Sequence, residues 1–186
     1  MGIDHDSVFA LDDLVWLVNS DDPSSGEERL PTPAALAEWV RVRRISGSHA
    51  GTTAELRAMH RLRAQLRTVF DLAAAGNEAG VVDTLNTLIS ESGATPRLVR
   101  HDQLPLHLHF TPNDAPLDRR LGAEIAVAVA ILVRDLGYQR LRLCAAPGCG
   151  RALVDLTKNQ SRRYCDTQCG NRVHVAAYRN RPRPSW

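Results

Sequence analysis

No cysteine occurs before Cys144, no apolar run exceeds the nine residues from Ile125 to Val133, and no internal repeat is visible. Each absence removes a class of protein. Nine apolar residues cannot cross a bilayer, which needs about 20 in a helix, so no membrane partner is expected. Asp4, His5 and Asp6 stand where a secretory leader would carry a basic stretch and an apolar core, which points to the cytoplasm. A reducing compartment disfavours disulfides. Also missing are a P-loop, a dinucleotide-binding glycine fingerprint, a nucleophile elbow and an HExxH pair. His60 and the scattered acidic residues compose no triad, so no catalytic residue is assigned and a non-enzyme is expected.

What is present is concentrated at the C-terminal end. Four cysteines form two pairs, Cys144-x4-Cys149 and Cys165-x3-Cys169, with fifteen residues between them. Two-plus-two thiolates suit one soft cation, and Zn²⁺ held tetrahedrally at roughly 2.3 Å per sulfur is the expected occupant. A site with four protein sulfurs has no open position, so its role is structural. Charge changes at the same place. Residues 140–186 carry nine arginines and one lysine against Asp155 and Asp166, while the other 139 residues hold 13 basic and 19 acidic side chains. The overall +2 therefore conceals two oppositely charged parts.

The first 139 residues are long enough to bury a core, whereas the last 47 are near the size at which a metal or disulfides become necessary. Along the first part, Phe9 to Val18 suits a buried strand or a short helix, between which periodicity cannot choose. Ser20 to Pro31 reads as a surface loop. Thr32-Pro33 is an N-cap followed by proline at the first helical position, opening a helix with Leu36, Trp39 and Val40 as its buried stripe. A longer helix follows from Thr53 to Gly76, and a third from Asn77 to Gly93 with Val81, Val82, Leu85, Leu88 and Ile89 inward. Alternation over Arg97 to Phe110 predicts a hairpin turning near Gln103-Leu104-Pro105, with His107 and His109 on a half-exposed face. A last long helix is expected from Asp114 to Gly137. Asn19, Arg63 and Arg67, polar groups beside apolar runs, are candidates either for a small-molecule pocket or for a buried hydrogen-bond network. The fold class is therefore α+β: a predominantly helical domain over 1–139 with a small β-hairpin, then a treble-clef-like module over 140–186 built from a knuckle, a short β element and a helix.

That last helix is expected from Cys169 to Pro182. At 100° per residue, Val173, Ala176 and Ala177 fall on the side facing the metal, with Asn171, Val175 and Tyr178 opposite. Arg172 and Arg179 flank the exposed side on one edge, His174 and Arg181 on the other. Arginine forks suit phosphate or guanine and asparagine suits adenine, so this face is a candidate nucleic-acid surface. A solvated basic tail docked on the acidic domain, a protein-interaction adaptor and a single-stranded RNA binder using Tyr164 and Tyr178 for stacking are the competing readings.

The residues Cys169-Gly170-Asn171-Arg172, with the downstream run to Arg179 and the upstream Asn159 to Cys165, resemble the CGNR zinc finger. Leu14 to Ser20, Leu30-Pro31-Thr32-Pro33 with Leu36 and Trp39, and Leu62 to Arg67 resemble the ABATE-type domain that accompanies this finger in a family assigned by inference to stress-induced transcription regulation. The resemblance implies a bacterial, nucleoid-associated regulator. Its zinc falls to Cys144, Cys149, Cys165 and Cys169, and its duplex-DNA contacts to Arg162, Arg163, Asn171 and Arg172. The sequence departs from the pattern in having three residues between the last two cysteines, where many members have four, and His174 where lysine is common. One finger covers few base pairs, so a homodimer is expected if binding is sequence-specific.

Overall fold

The computed structural model describes residues 5–100 and 106–179. The segment left open between strand and helix is a helix, α1 (His5–Val18). Leu11, Leu14, Leu17 and Val18 recur at helical spacing and are all buried. The expected cap opens α2 (Pro33–Arg43), with the Thr32 side chain accepting from the Ala35 amide at 3.2 Å. Trp39 of α2 stacks on Trp16 of α1 with ring centroids 4.9 Å apart.

Helix α3 (Thr53–Ala74) begins with a reciprocal cap. Thr52 accepts from the Glu55 amide, and the Glu55 carboxylate accepts from the Ala50 and Gly51 amides. Helix α4 (Glu78–Ser92) is capped by Asn77 and stopped by Gly93 at φ 68°. Val82, expected inward, is exposed, because Val81 and Leu85 already fill the seam and the next residue lies about 100° around the helix. The hairpin pairs β1 (Arg97–Val99) with β2 (His107–His109), Leu98 opposite Leu108. The turn expected at Gln103-Leu104-Pro105 lies outside the described residues. His109 is buried, not half-exposed as expected, and its Nε2 sits 3.2 Å from that of His107.

Helix α5 (Leu117–Leu136) starts three residues later than expected, after Pro116. It is the axis of the fold, with α1, α3 and α4 packed along it. A short 3-10 turn, Tyr138–Arg140, then delivers the chain into a second antiparallel pair, β3 (Leu141–Leu143) and β4 (Ala152–Val154). The last helix, α6 (Thr167–Arg179), begins two residues before Cys169. This is the expected α+β class: six helices and two small hairpins among the described residues.

All three residues of β4 are buried, and alternation explains how. Ala152 and Val154, with Leu141 of β3, belong to the same apolar cluster as the helices. Leu153, pointing the other way, belongs to a second cluster with Cys144, Ala146, Cys149 and Cys169. A strand's successive side chains face opposite sides, so this hairpin is the wall between two cores. The chain passes residue 140 without a break in packing.

Candidate metal centre and its basic face

The first two cysteines lie on a knuckle after β3. The Cys144 amide donates to the Arg151 carbonyl at 2.8 Å, and the Cys149 amide to the Ala146 carbonyl at 3.1 Å. Gly148 has φ 71°, the left-handed conformation that glycine adopts without steric cost. The second pair sits where α6 begins. Asp166 accepts from the Cys169 amide at 2.7 Å, capping the helix and placing Cys169 in its first turn. Gly170 follows because the Tyr164 ring lies over it: a Cβ there would come within 3.3 Å of the ring.

The four sulfurs lie within 4.8 Å of one another. The separations are 3.7 Å for Cys149–Cys165, 3.6 Å for Cys165–Cys169 and 3.7 Å for Cys149–Cys169. A tetrahedron with metal–sulfur bonds of about 2.3 Å requires sulfurs about 3.8 Å apart, so the donor set fits one zinc ion. Electrostatics agree. Burial pushes the Cys165 thiol above its ordinary range and Cys169 up to about 11. Burial also opposes ionisation of Cys144, but amides of Ala146 and Cys165 outweigh it and draw that thiol down. Four thiolates so close together are sustained only by a central cation. Bound there, the metal supplies a cross-link between knuckle and helix in place of an apolar core.

Residues beyond the ligands hold the module in shape. Asp155, fully buried, accepts from the Thr157 amide and hydroxyl at 2.9 and 2.6 Å and from the Arg162 amide at 3.0 Å, with Arg142 3.3 Å away. Burial alone would raise its carboxyl, yet these donors hold it below the usual range. Arg140 reaches the carbonyls of Asp155 and Thr157. The basic loop from Lys158 to Arg163 is thus shaped by one carboxylate, a role its surface-like sequence context did not reveal.

The expected DNA-contacting residues divide. Arg163, Asn171, His174, Tyr178 and Arg179 are exposed, and His174 meets Tyr164 edge-on with centroids 6.1 Å apart. Arg162 is exposed but its guanidinium donates to the Tyr164 and Cys165 carbonyls at 3.4 and 2.8 Å. Arg172 donates to Cys169 Sγ at 3.5 Å. Arg181 lies outside the described residues. Of the three α6 residues expected against the metal, only Val173 packs there; Ala176 and Ala177 are exposed, because α6 runs off the small cluster after its first two turns.

Asn19, Arg63 and Arg67 also find partners. The Asn19 side chain clamps both backbone groups of Ala152, donating to its carbonyl at 2.9 Å and accepting from its amide at 2.8 Å. Arg67 donates to the Gly150 carbonyl at 2.9 Å and to Asp71 at 2.9 Å. Arg63 forks onto Glu28 at 2.8 and 2.6 Å and reaches Ser20 at 3.0 Å. Two of the three therefore bind the zinc module to the helices. Arg151 adds a third tie by pairing with Asp22, which is fully buried in the loop after α1. The Arg151 guanidinium holds the Asp22 carboxyl well below the usual carboxylate range. Asn19 also lines an open cleft of about 190 Å³ where α1 meets the module; Arg63 and Arg67 do not.

No helix among the described residues is long and apolar enough to cross a membrane. No curated protein matches the chain. Family models match over most of its length: residues 140–182 match the CGNR zinc finger, and residues 14–136 match ABATE, described as "Putative stress-induced transcription regulator". Neither description names an enzyme. With four cysteines gathered for one metal ion and a helical domain matched across nearly all its elements, the chain belongs to the ABATE family and ends in a CGNR zinc finger.

Proposed function

We propose that this protein is a transcription regulator whose zinc module binds duplex DNA, with the helical domain over 1–139 receiving a signal or pairing two copies. The observation that carries the reading is uncompensated, exposed positive charge in the zinc module. Among the described residues, the side chains of Lys158, Arg163 and Arg179 are exposed and make no ion pair, in a segment of net +8. Asn171 and Tyr178 are exposed on α6 with Arg179, while Lys158 and Arg163 belong to the loop that precedes the helix. Free guanidinium and ammonium groups neutralise phosphates, while an asparagine and a tyrosine between them can address base edges. Arg162 and Arg172 act first as buttresses, so their share of contact is smaller than the family motif suggests. A single short helix spans few base pairs, and two copies on paired half-sites would supply sequence specificity.

The test is binding of the zinc-loaded protein to random-sequence duplex DNA, read by fluorescence anisotropy across a salt series. Log K should fall with log[salt] by about 0.9 per phosphate neutralised. The double variant Arg163→Ala/Arg179→Ala should flatten the slope by about two such steps. No binding at low salt would exclude DNA and leave an acidic protein surface as the partner.

A further inference from the structure

Three of the four sulfur ligands belong to buried residues, and the fourth does not. Cys144, Cys149 and Cys169 are 8%, 2% and 6% exposed, whereas Cys165 is half-buried and lines the cleft between α1 and the zinc module. Val15 and Trp16 of α1 and Arg151 and Ala152 at the start of β4 line it too. Hydrogen bonding marks off two of the buried thiols. Cys144 Sγ accepts from the Cys165 amide at 3.4 Å and Cys169 Sγ accepts from Arg172 at 3.5 Å. Among the described residues no N–H group donates to the sulfur of Cys165 or of Cys149; Cys165 Sγ lies against the sulfurs of Cys149 and Cys169 and beside the Asp166 carboxylate. An N–H donor drains charge from a thiolate and lowers its nucleophilicity. Cys165 is therefore the one ligand of the four that combines partial exposure with a sulfur receiving no N–H donor, and thiolate reactivity follows exposure and charge.

We propose that Cys165 is a modification site for small hydroperoxides, entered through this cleft, and that its oxidation dismantles the metal centre. The Cys165 thiolate attacks one oxygen of hydrogen peroxide, the O–O bond breaks, and hydroxide leaves, giving a sulfenic acid. The thiolate of Cys169 or Cys149, 3.6 or 3.7 Å away, then attacks that sulfur; an S–S bond forms and a second hydroxide leaves. Two electrons pass from the two sulfurs to the peroxide. Two of four ligands are thereby withdrawn from the metal, which the remaining pair cannot retain against solvent. This inference rests on the metal site and not on the DNA reading.

The experiment treats the zinc-loaded full chain with hydrogen peroxide. Zinc release is followed with a chromophoric chelator, and the products are mapped by mass spectrometry. One zinc should leave per disulfide, every early disulfide should contain Cys165, and a thiol reductant with added zinc should restore the starting species. The variant Val15→Phe, checked for unchanged zinc content and helicity, should slow release several-fold by narrowing the cleft. An early Cys144–Cys149 disulfide with Cys165 still reduced would overturn the proposal, as would zinc retained through oxidation. A Val15→Phe rate equal to wild type would overturn the cleft as the route. None of these readouts depends on DNA.

Discussion

The two ends of the molecule are stabilised by different means. The helical part surrounds α5 with leucines, valines and the ring of Phe70, and needs nothing but its own apolar surface removed from water. The second cluster contains Cys144, Ala146, Cys149, Leu153 and Cys169, three of them thiols and one an alanine. So little apolar surface cannot offset the ordering of a knuckle, a loop and a helix. The difference teaches where dependence on metal should begin. The β3–β4 hairpin packs on the helices through Leu141, Ala152 and Val154 and on the sulfurs through Leu153, so the knuckle and α6 are the parts expected to need the metal.

Removing the metal is the strongest way to test that division. In finger peptides a structural zinc contributes about 10–16 kcal/mol of apparent binding energy, far more than the small cluster supplies. Chelation should abolish hydrogen-exchange protection over 144–150 and 162–179 while leaving α1–α5 and β3–β4 protected. Loss of protection in β3 and β4 as well would show that the wall belongs to the metal side after all.

A paired substitution on the wall tests the same boundary at single residues. Leu141→Ala should cost about 2–5 kcal/mol of global stability, as a buried leucine truncation does, with zinc affinity nearly unchanged. Leu153→Ala, one strand over and facing the other way, should instead weaken zinc retention in a chelator competition and leave the main thermal transition close to wild type.

The ties between the two parts rank next. Arg151→Ala leaves the buried Asp22 carboxylate with Arg29 alone, 3.8 Å away, and should cost about 3 kcal/mol, the lower end for a broken buried pair. Asn19→Ala strips two hydrogen bonds from Ala152 and should cost about 1–3 kcal/mol. Denaturant melts of both variants should show that order.

The smallest effect is acid sensitivity at the junction. Asp22 has a depressed carboxyl in the folded protein, so its contribution is present above the ordinary aspartate value of about 3.9 and drains away as pH falls below it. The stability gap between wild type and Asp22→Asn should therefore be constant from pH 7 to pH 5 and shrink towards pH 3. A gap that widens on acidification would mean that Asp22 is not held ionised by Arg151.

Local chemistry was legible wherever neighbours along the chain carry it. The Thr32-Pro33 and Asn77 helix starts, the Gly93 stop and the four-cysteine grouping all depend on residues a few positions apart, and each stands where the spacing predicts. The family resemblance was legible for the same reason, since Cys169-Gly170-Asn171-Arg172 is a contiguous string matched by the finger. Asp155 was passed over because two of its four partners are backbone amides, which every residue carries and no sequence pattern marks, and a third, Arg142, comes from the neighbouring strand.

By itself, then, the sequence determined five helices' worth of periodicity, the metal's four ligands and the opposite charges of the two parts. Tertiary structure alone decided that α1 is a helix, that β4 faces two cores, that Asn19 and Arg67 grip the zinc module rather than standing apart from it, and that one cysteine of four meets a cleft. The reason is one of range. Caps, turns and chelate spacings are set by bonds across three or four residues, whereas burial of a strand face or exposure of a sulfur depends on segments more than a hundred residues apart in the chain.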